Sequence, residues 1–303
     1  MGAVWIDLLD PSEAELREKA PRELEESALQ LLLRPHVHQD EPRPTMQGHG
    51  AYVFGVFLTA TYVESRQEIF YPEVDLVITH ETILTVRKTP VEHCPPFDIT
   101  QVQQAVKKSD LPGMIAYRLV DEIAEQYLDL IDAVDEKIDE LEDLVEDQPA
   151  AKTRARLSEL RHGTLQIRRT LAPMRDAIRR VVDDVVDVTD GEEVFPHEVE
   201  IAFNSAYDKL LRAIDSLELS RDLIASVRDY SQAKIANDQN EVMKRLTVVA
   251  SLLLLPTFIV GLYGQNFVHI PELHWHWGYW WAWGWIVGTT IGQLAFFKWK
   301  RWI

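Results

Sequence analysis

The sequence is poor in cysteine, and it lacks the motifs of common catalytic sites. Its single cysteine, Cys94, excludes a disulfide framework and a cysteine-rich metal site. It contains no glycine-rich phosphate-binding loop, so ATP-driven transport has no support in the sequence. No nucleophile stands beside a general base in a catalytic pattern. We therefore expect that the protein is not an enzyme.

Basic residues are also scarce, with 31 lysines and arginines against 49 acidic residues and a formal net charge of −18. The acidic excess is concentrated before residue 244, because Glu272 is the only acidic residue after that point and five basic residues lie there. Such a surface repels nucleic acid and concentrates cations. We expect no nucleic-acid partner, and simple solubility accounts for most of the acidic residues.

Charged residues are absent from two long apolar stretches, residues 246–263 and 279–297. At about 1.5 Å rise per residue, each stretch reaches about the 30 Å of a bilayer core. Two buried helices of a soluble domain are the alternative. Basic residues flank both stretches, and eight of the nine tryptophans lie between Trp275 and Trp302, which is typical of membrane interfaces. We therefore predict transmembrane helices at 246–263 and 279–298.

The flanking basic residues predict the orientation of the chain. Lys244 and Arg245 precede the first stretch, three basic residues follow the second, and the loop at 264–278 has none. Because basic residues stay in the cytoplasm, both termini and the basic tail at 299–303 are expected there. The N-terminus has no basic segment followed by an apolar one. We predict a multi-pass protein of the cell (inner) membrane with a large cytosolic region.

Residues 1–110 mix strand-like and helix-like segments. Runs rich in β-branched and aromatic residues predict strands at 4–9, 51–63, 74–80 and 82–88. A proline and a serine followed by acidic residues predict a helix at 11–20, and residues 40–50 predict a loop. We expect a cytosolic α/β domain in an α+β membrane protein, with a strand order that these patterns do not define.

From residue 111 onward the pattern is helical. Apolar residues recur every three or four positions up to Val145, with acidic residues between them, and Pro149 ends the pattern. A basic segment follows as the expected antiparallel partner, which predicts a helical hairpin over 111–195.

The segment after Pro196 contains no glycine before Gly261 and no proline before Pro256. This predicts one helix of about 60 residues or more, about 90 Å long. Residues 196–245 would form a stalk that continues into the first transmembrane helix and can transmit movement to it.

One stripe of the first predicted transmembrane helix combines polar, small and apolar residues at near-heptad spacing. Besides Ala250, which continues the spacing, its members are Asn240, Met243, Thr247, Leu254, Thr257 and Gly261. In a symmetric ring of chains, such a stripe can line a pore in which Met243 and Leu254 form apolar constrictions. Ordinary packing between membrane helices is the alternative, and the sequence favours neither.

Gly264, Gln265 and Asn266 follow at the outer end of this helix. Glycine lets a chain leave a helix, and side-chain amides offer neutral oxygen acceptors. Because Mg²⁺ sheds its water reluctantly, such amides can bind the hydrated ion through its waters. A simple helix end with polar loop residues is the alternative.

The segments 240–267 and 271–279 together resemble the CorA family of divalent-cation channels. In that family the first transmembrane helix ends in Tyr-Gly-Met-Asn-Phe. The loop after it contains Pro-Glu-Leu, and the second transmembrane helix begins with a sequence similar to Trp-x-x-Gly-Tyr. The matching residues here are Tyr263, Gly264, Asn266, Phe267, Pro271, Glu272, Leu273, Trp277, Gly278 and Tyr279. The resemblance extends upstream through 132–147 and 167–176, and so covers most of the chain.

The resemblance implies a homopentamer with a funnel-shaped cytosolic domain, a long stalk helix that continues into the pore, and a second helix around it. It implies that Gly264, Gln265 and Asn266 form an outer selectivity ring. The stripe would line the pore, with Met243 and Leu254 as a hydrophobic gate. Glu272 would attract cations to the mouth.

The resemblance also implies Mg²⁺ as the transported and regulatory ion, with Co²⁺ or Ni²⁺ as further cargo. Gln265 replaces the usual methionine of the family motif. Relatives of the zinc transporter ZntB vary there too, so Zn²⁺ transport, with or without proton coupling, is the alternative within this class. Acidic residues hold the regulatory ion in the family, and Asp208 and Asp75 are candidates here.

Three histidines flank the predicted mouth: His269, His274 and His276. Imidazole favours transition metals such as Zn²⁺, but polar residues among interfacial tryptophans are the simpler interpretation. His36 and His38 are expected to be structural, and His93 beside Cys94 is uninformative. A membrane-anchored sensor or scaffold remains the alternative from a different class of function.

Overall fold

The computed structural model describes residues 3–37, 41–63, 68–90, 94–188, 193–266 and 270–303. The chain divides into two compact units, Met1–Arg228 and Asp229–Ile303. The boundary between them falls inside the predicted stalk.

The first unit contains a five-stranded sheet with the strand order β1-β7-β6-β3-β2. β1 pairs in parallel with β7, and the other neighbours are antiparallel. A separate antiparallel pair is formed by β4 and β5. The described strands are β1 (Val4–Leu9), β2 (Thr45–Gly48), β3 (Val53–Leu58), β4 (Thr61–Val63), β5 (Glu68–Phe70), β6 (Glu73–Ile78) and β7 (Thr82–Lys88).

Helices cover both faces of this sheet, and β3 and β6 are therefore buried along their whole length. Successive side chains of a strand point to opposite faces. Leu76 of β6 packs in the core that α4, α5 and α6 cover, and Val77 packs in the smaller core under α1 and α2. Burial on both faces explains why β3 is a continuous apolar run and why β6 is apolar apart from Glu73 and Asp75.

The described helices are α1 (Glu13–Lys19), α2 (Glu26–Leu33), α3 (Thr100–Ala105), α4 (Pro112–Leu144), α5 (Ala150–Val182), α6 (His197–Tyr263) and α7 (Gly278–Trp299), with a short 3-10 helix at Pro271–His274. The predicted start of α1 is confirmed, because the Ser12 side chain accepts a hydrogen bond from the backbone N–H of Glu15.

Two of the predictions for this region are wrong. The segment 40–50 is not only a loop, because β2 lies within it and forms one edge of the sheet. The run 51–63 is not one strand, because it divides into β3 and β4, which belong to different sheets. At the break, the Thr59 backbone N–H bonds to the Pro72 carbonyl.

The long helices α4 and α5 form the predicted pair on either side of Pro149. Their contact is held by the buried Tyr127, whose hydroxyl lies 3.1 Å from the Leu58 carbonyl oxygen and 3.0 Å from Oγ1 of Thr170. An acidic stretch of α4 pairs with α6, because Lys209 contacts carboxylates on two successive turns of α4. Ion pairs of α4 with α6 were not part of the prediction, which considered only the basic segment of α5.

The prediction of one long helix after Pro196 is confirmed. α6 runs without interruption for 67 residues, from His197 to Tyr263, and accommodates Pro256 near its end. Its first part belongs to the first unit and its last part to the second. Among the described residues, α6 is the one helix that is long and apolar enough by composition to cross a membrane.

Candidate functional site

The end of α6 carries the Gly264-Gln265-Asn266 motif. The Gly264 backbone N–H donates to the Val260 carbonyl at 2.9 Å, which closes the last turn, and the helix ends at Tyr263. A side chain on Gly264 would place its Cβ 3.2 Å from that same carbonyl oxygen. Glycine is therefore favoured here by a close approach, and not by left-handed backbone geometry. Both amide side chains are exposed and available to a ligand.

All six members of the predicted stripe are exposed in the single chain: Asn240, Met243, Thr247, Leu254, Thr257 and Gly261. Leu254 is 73% exposed and Met243 is 58% exposed, and the apolar Leu253 and Phe258 beside the stripe are exposed as well. The stripe differs from these neighbours because it also carries hydroxyl, amide and glycine positions. Exposed apolar faces of this size are covered in nature by lipid or by other chains.

A neighbouring face of this part of α6 packs against α7. Nε2 of Gln293 on α7 donates to the Ser251 carbonyl at 3.2 Å, and Val248 and Phe297 are each only 6% exposed. At about 100° per residue, Val248 lies about 120° round the helix from Leu254. α7 therefore occupies a different face of α6 and leaves the stripe open.

The threonines of the stripe donate within their own helix. The Thr247 hydroxyl bonds to the Met243 carbonyl at 2.8 Å, and the Thr257 hydroxyl bonds to the Leu253 carbonyl at 2.6 Å. Because the hydroxyl proton is used in this way, the oxygen keeps acceptor lone pairs that face outward. The stripe thus presents oxygen acceptors of the kind that suit hard cations.

The loop before α7 has a defined shape from Pro271 onward. Its 3-10 helix places the Glu272 carbonyl as acceptor for the Trp275 backbone N–H at 3.2 Å. The same carbonyl oxygen lies where a Cβ on Gly278 would be, so only glycine fits at the start of α7. Glu272 is half-buried. Its position relative to α7 is therefore determined by backbone packing.

Aromatic rings surround the start of α7. Trp281 makes edge contacts with Trp275 at 6.2 Å and with Trp285 at 6.1 Å between ring centroids. His276 packs at right angles to Trp277 and is exposed, as is His274. Among the described residues, no three His, Cys, Asp or Glu side chains converge to hold a metal ion.

The residues Phe267 and His269 lie outside the described ranges, as do His38 and His93.

The two acidic sensor candidates are not brought together within one chain. Asp208 is exposed on α6, which covers one face of the sheet. Asp75 is 1% exposed and lies at an odd position of β6, on the face that α1 and α2 cover. Burial raises the pKa of Asp75 well above its ordinary value, although Nζ of Lys88 lies 2.7 Å away.

Asp75 belongs to a buried polar cluster that the sequence analysis missed. Lys88 also contacts Glu73 at 2.6 Å and donates to the Leu31 carbonyl at 3.0 Å. Nδ1 of His36 lies 3.0 Å from the other oxygen of Glu73, which agrees with a structural role for this histidine. The one signal in the sequence is the pair of acidic residues two positions apart in an otherwise apolar strand.

Comparisons with known proteins converge on one family. A family model described as CorA-like Mg²⁺ transporter protein matches residues 1–301. The cobalt/magnesium transport protein CorA of Thermotoga maritima is 29% identical over 269 residues, which cover 88% of this chain and 74% of that protein.

Two solved structures share the fold. The complete structure of the CorA magnesium transporter from Methanocaldococcus jannaschii has a TM-score of 0.78 at 20% identity. The match covers 99% of this chain and 91% of the chain in that structure. The structure of the full-length CmaX protein has a TM-score of 0.71 at 21% identity, with coverage of 99% and 89%. At these identities the two structures establish the fold alone.

Proposed function

The chain belongs to the family of CorA-like Mg²⁺ transporter proteins, and we propose that it is a passive divalent-cation channel that admits Mg²⁺ to the cytoplasm. The single observation that carries this proposal is the open stripe of α6, which leads to Gly264-Gln265-Asn266. An inside-negative potential would drive entry, at about 2.3 kcal/mol per elementary charge per 100 mV.

The proposed assembly is a homopentamer in the cell (inner) membrane. Residues 246–263 of α6 would cross the bilayer, with both termini in the cytoplasm. We propose that α7 crosses beside it, although α6 alone among the described helices is apolar enough by composition, because residues 279–297 of α7 carry no charge and α7 packs against α6. One chain has no path for an ion, because its stripe is uncovered on one side. A ring of chains would enclose the stripe, while exposed apolar residues such as Phe258 would meet lipid or neighbouring chains.

The proposed filter is a ring of amides from Gln265 and Asn266 at the outer end of α6. A hydrated Mg²⁺ ion presents water protons, which neutral amide oxygens accept without removing the water. Gly264 would allow the chain to leave the helix at this ring. Glu272 in the outer loop would raise the local cation concentration.

The proposed gate lies further along the stripe, towards the cytoplasm. Rings of Leu254 and Met243 would form constrictions that close by losing their water, since both side chains are apolar and project from the open face. Thr257, Thr247 and Asn240 would offer oxygen acceptors between and beyond these constrictions, where a hydrated ion needs partners.

A cytosolic regulatory Mg²⁺ ion is part of the proposal. Asp208 is exposed on α6, and the same continuous helix carries the stripe. Ion binding at Asp208 would therefore be transmitted to the pore through α6. Asp75 is the weaker candidate, because it is buried inside the sheet domain against Lys88.

The test is ion flux into proteoliposomes that contain the full-length protein, with Mg²⁺, Co²⁺, Ni²⁺ and Zn²⁺ supplied in turn. We expect Mg²⁺ flux that falls at least tenfold in Asn266→Ala. Asn237→Ala, which removes an exposed amide from α6 outside the stripe, is the matched control and should retain flux.

Two results would contradict the proposal. Absence of flux for every ion would favour a membrane-anchored sensor or scaffold. Zn²⁺ flux that depends on a proton gradient, without Mg²⁺ flux, would favour a zinc transporter.

A further inference from the structure

A cavity of about 490 Å³ lies between the β4–β5 pair and the α4–α5 pair, within the first unit. Its floor is apolar and includes Ile69, Leu130, Val134 and Leu160. A volume of this size is typical of sites for small organic molecules. None of its lining residues belongs to the stripe, the outer loop or the acidic sensor candidates, so the proposed channel function makes no use of it.

A single half-buried cation projects over one wall of this cavity. Nζ of Lys137 on α4 lies 3.5 Å from the ring centroid of Tyr62 on β4, and both residues line the cavity. Among the residues that the structure describes, no carboxylate forms an ion pair with Lys137. The aromatic ring therefore holds the ammonium in place, and no described carboxylate competes with an added anion for it.

The other charged groups at the cavity lie mainly at its mouth. Arg156 and His162 of α5 are exposed there, and so are the carboxylates of Glu140 and Glu159. The half-buried Glu68 already takes part in another interaction. Because water screens the exposed carboxylates, Lys137 and Glu68 are the least screened charges at the cavity, and of the two Glu68 is already engaged.

The cavity is kept open by a glycine in the interior of a helix. Gly163 lies within α5, where glycine is less favourable than alanine. A Cβ at this position would meet only the Cδ1 atom of Ile69, at an ordinary distance of 3.7 Å. Helix packing therefore does not require glycine here, whereas a larger side chain would project into the empty volume.

We propose that this cavity binds an amphipathic organic anion, a carboxylate attached to a flat apolar body. The body would occupy the floor beside Gly163 and Ile69, and the carboxylate would bind Lys137, with Arg156 at the mouth. The apolar floor supplies burial, the unpaired ammonium supplies charge complementarity, and the glycine supplies room.

The test uses three probes of one shape: 2-naphthoate, the neutral 2-naphthylmethanol and the cationic 2-naphthylmethylammonium. Each is dialysed to equilibrium against the full-length protein in nanodiscs, and empty nanodiscs correct for partition into lipid. We expect saturable binding of 2-naphthoate, with at least tenfold weaker binding of the cation.

The variants separate the cavity from other surfaces. Lys137→Met keeps most of the side-chain length but removes the charge. It should weaken the binding of 2-naphthoate at least tenfold and leave the binding of 2-naphthylmethanol unchanged. Gly163→Leu should abolish binding of both, and Gly163→Ala should weaken them by less. Lys152→Met, an exposed lysine of α5 outside the cavity, is the control and should bind like the unaltered protein.

Several results would overturn the proposal. One is the absence of saturable 2-naphthoate binding to the unaltered protein, and another is equal or tighter binding of the cation. Unchanged binding in folded Lys137→Met, or in folded Gly163→Leu, would also place the probe elsewhere. If Gly163→Leu does not fold, Gly163→Ala and Lys137→Met still decide the matter.

Discussion

The side-chain amide of Gln293 donates to the backbone carbonyl of Ser251 at 3.2 Å and so joins α7 to α6. This bond lies beside the buried Val248 and Phe297, on a face of α6 that is centred about 120° round the helix from the exposed Leu254. The pairing of the two helices therefore determines which face of α6 stays open for other chains.

We expect Gln293→Met to loosen this pair of helices without removing apolar area. Hydrogen bonds between membrane helices contribute about 0.6 kcal/mol on average and at most about 1.7 kcal/mol. The loss should appear as a lower midpoint of thermal unfolding in detergent. Thr290→Val is the control, because among the described residues the Thr290 hydroxyl has its one partner within α7, the Ile286 carbonyl at 2.7 Å. Equal effects of the two variants would argue against the role of Gln293.

Gly278→Ala should disrupt the outer loop. Its Cβ would overlap the Glu272 carbonyl oxygen, so the 3-10 helix or the start of α7 must shift. Overpacking of this kind costs about 1–3 kcal/mol. We expect a lower unfolding midpoint and at least several-fold less Mg²⁺ flux in proteoliposomes.

Gly288→Ala is the matched control for this substitution, since a Cβ there meets nothing within 4 Å in the single chain. It should retain both stability and flux. If Gly278→Ala behaves in the same way as Gly288→Ala, the close approach of Glu272 does not constrain the loop.

Leu254→Asn tests the proposed hydrophobic gate. An amide in an apolar constriction holds water, so the closed channel should conduct more readily. We expect Mg²⁺ flux to rise several-fold when the inner Mg²⁺ concentration is high. Leu253→Asn changes the adjacent exposed leucine outside the stripe and should leave closed-state flux low. A greater leak in Leu253→Asn than in Leu254→Asn would place the gate on another face.

Lys88→Met should destabilise the first unit strongly. It would leave Glu73 and Asp75 buried without their shared counter-charge, a change that typically costs about 3–5 kcal/mol. Addition of Asp75→Asn to Lys88→Met should restore part of the loss. Both effects are measured by chemical denaturation of the full-length protein in detergent, in which the unfolding of the first unit is monitored.

The loss in Lys88→Met should also depend on pH. Burial already raises the pKa of Asp75 in the folded state, and removal of Lys88 raises it further. A raised carboxyl pKa means that the folded state binds more protons, so stability is highest at low pH and falls as pH rises through the folded pKa. The difference in stability from the unaltered protein should therefore shrink on acidification. A difference that grew towards low pH would contradict this account.

Much of the fold can be predicted from local patterns in the sequence. The long α6 follows from a span with no glycine before Gly261 and no proline before Pro256, and α4 and α5 follow from apolar residues at helical spacing around Pro149. β2 could not be predicted, because its four residues are mostly polar or small and it is held by pairing with β3 at the sheet edge. The same holds for the break between β3 and β4, which depends on a contact with Pro72.

The candidate site divides in the same way. The sequence by itself determined the apolar stretches, the stripe on α6 and the amide motif after it, because each depends on neighbours a few positions apart. Only the tertiary structure decided that α7 leaves the stripe open, that Lys88 contacts the buried Asp75, and that Gly278 must be glycine. These relationships join residues that are distant in the sequence or meet through backbone atoms, and strand register and helix packing, which no local pattern encodes, bring them together.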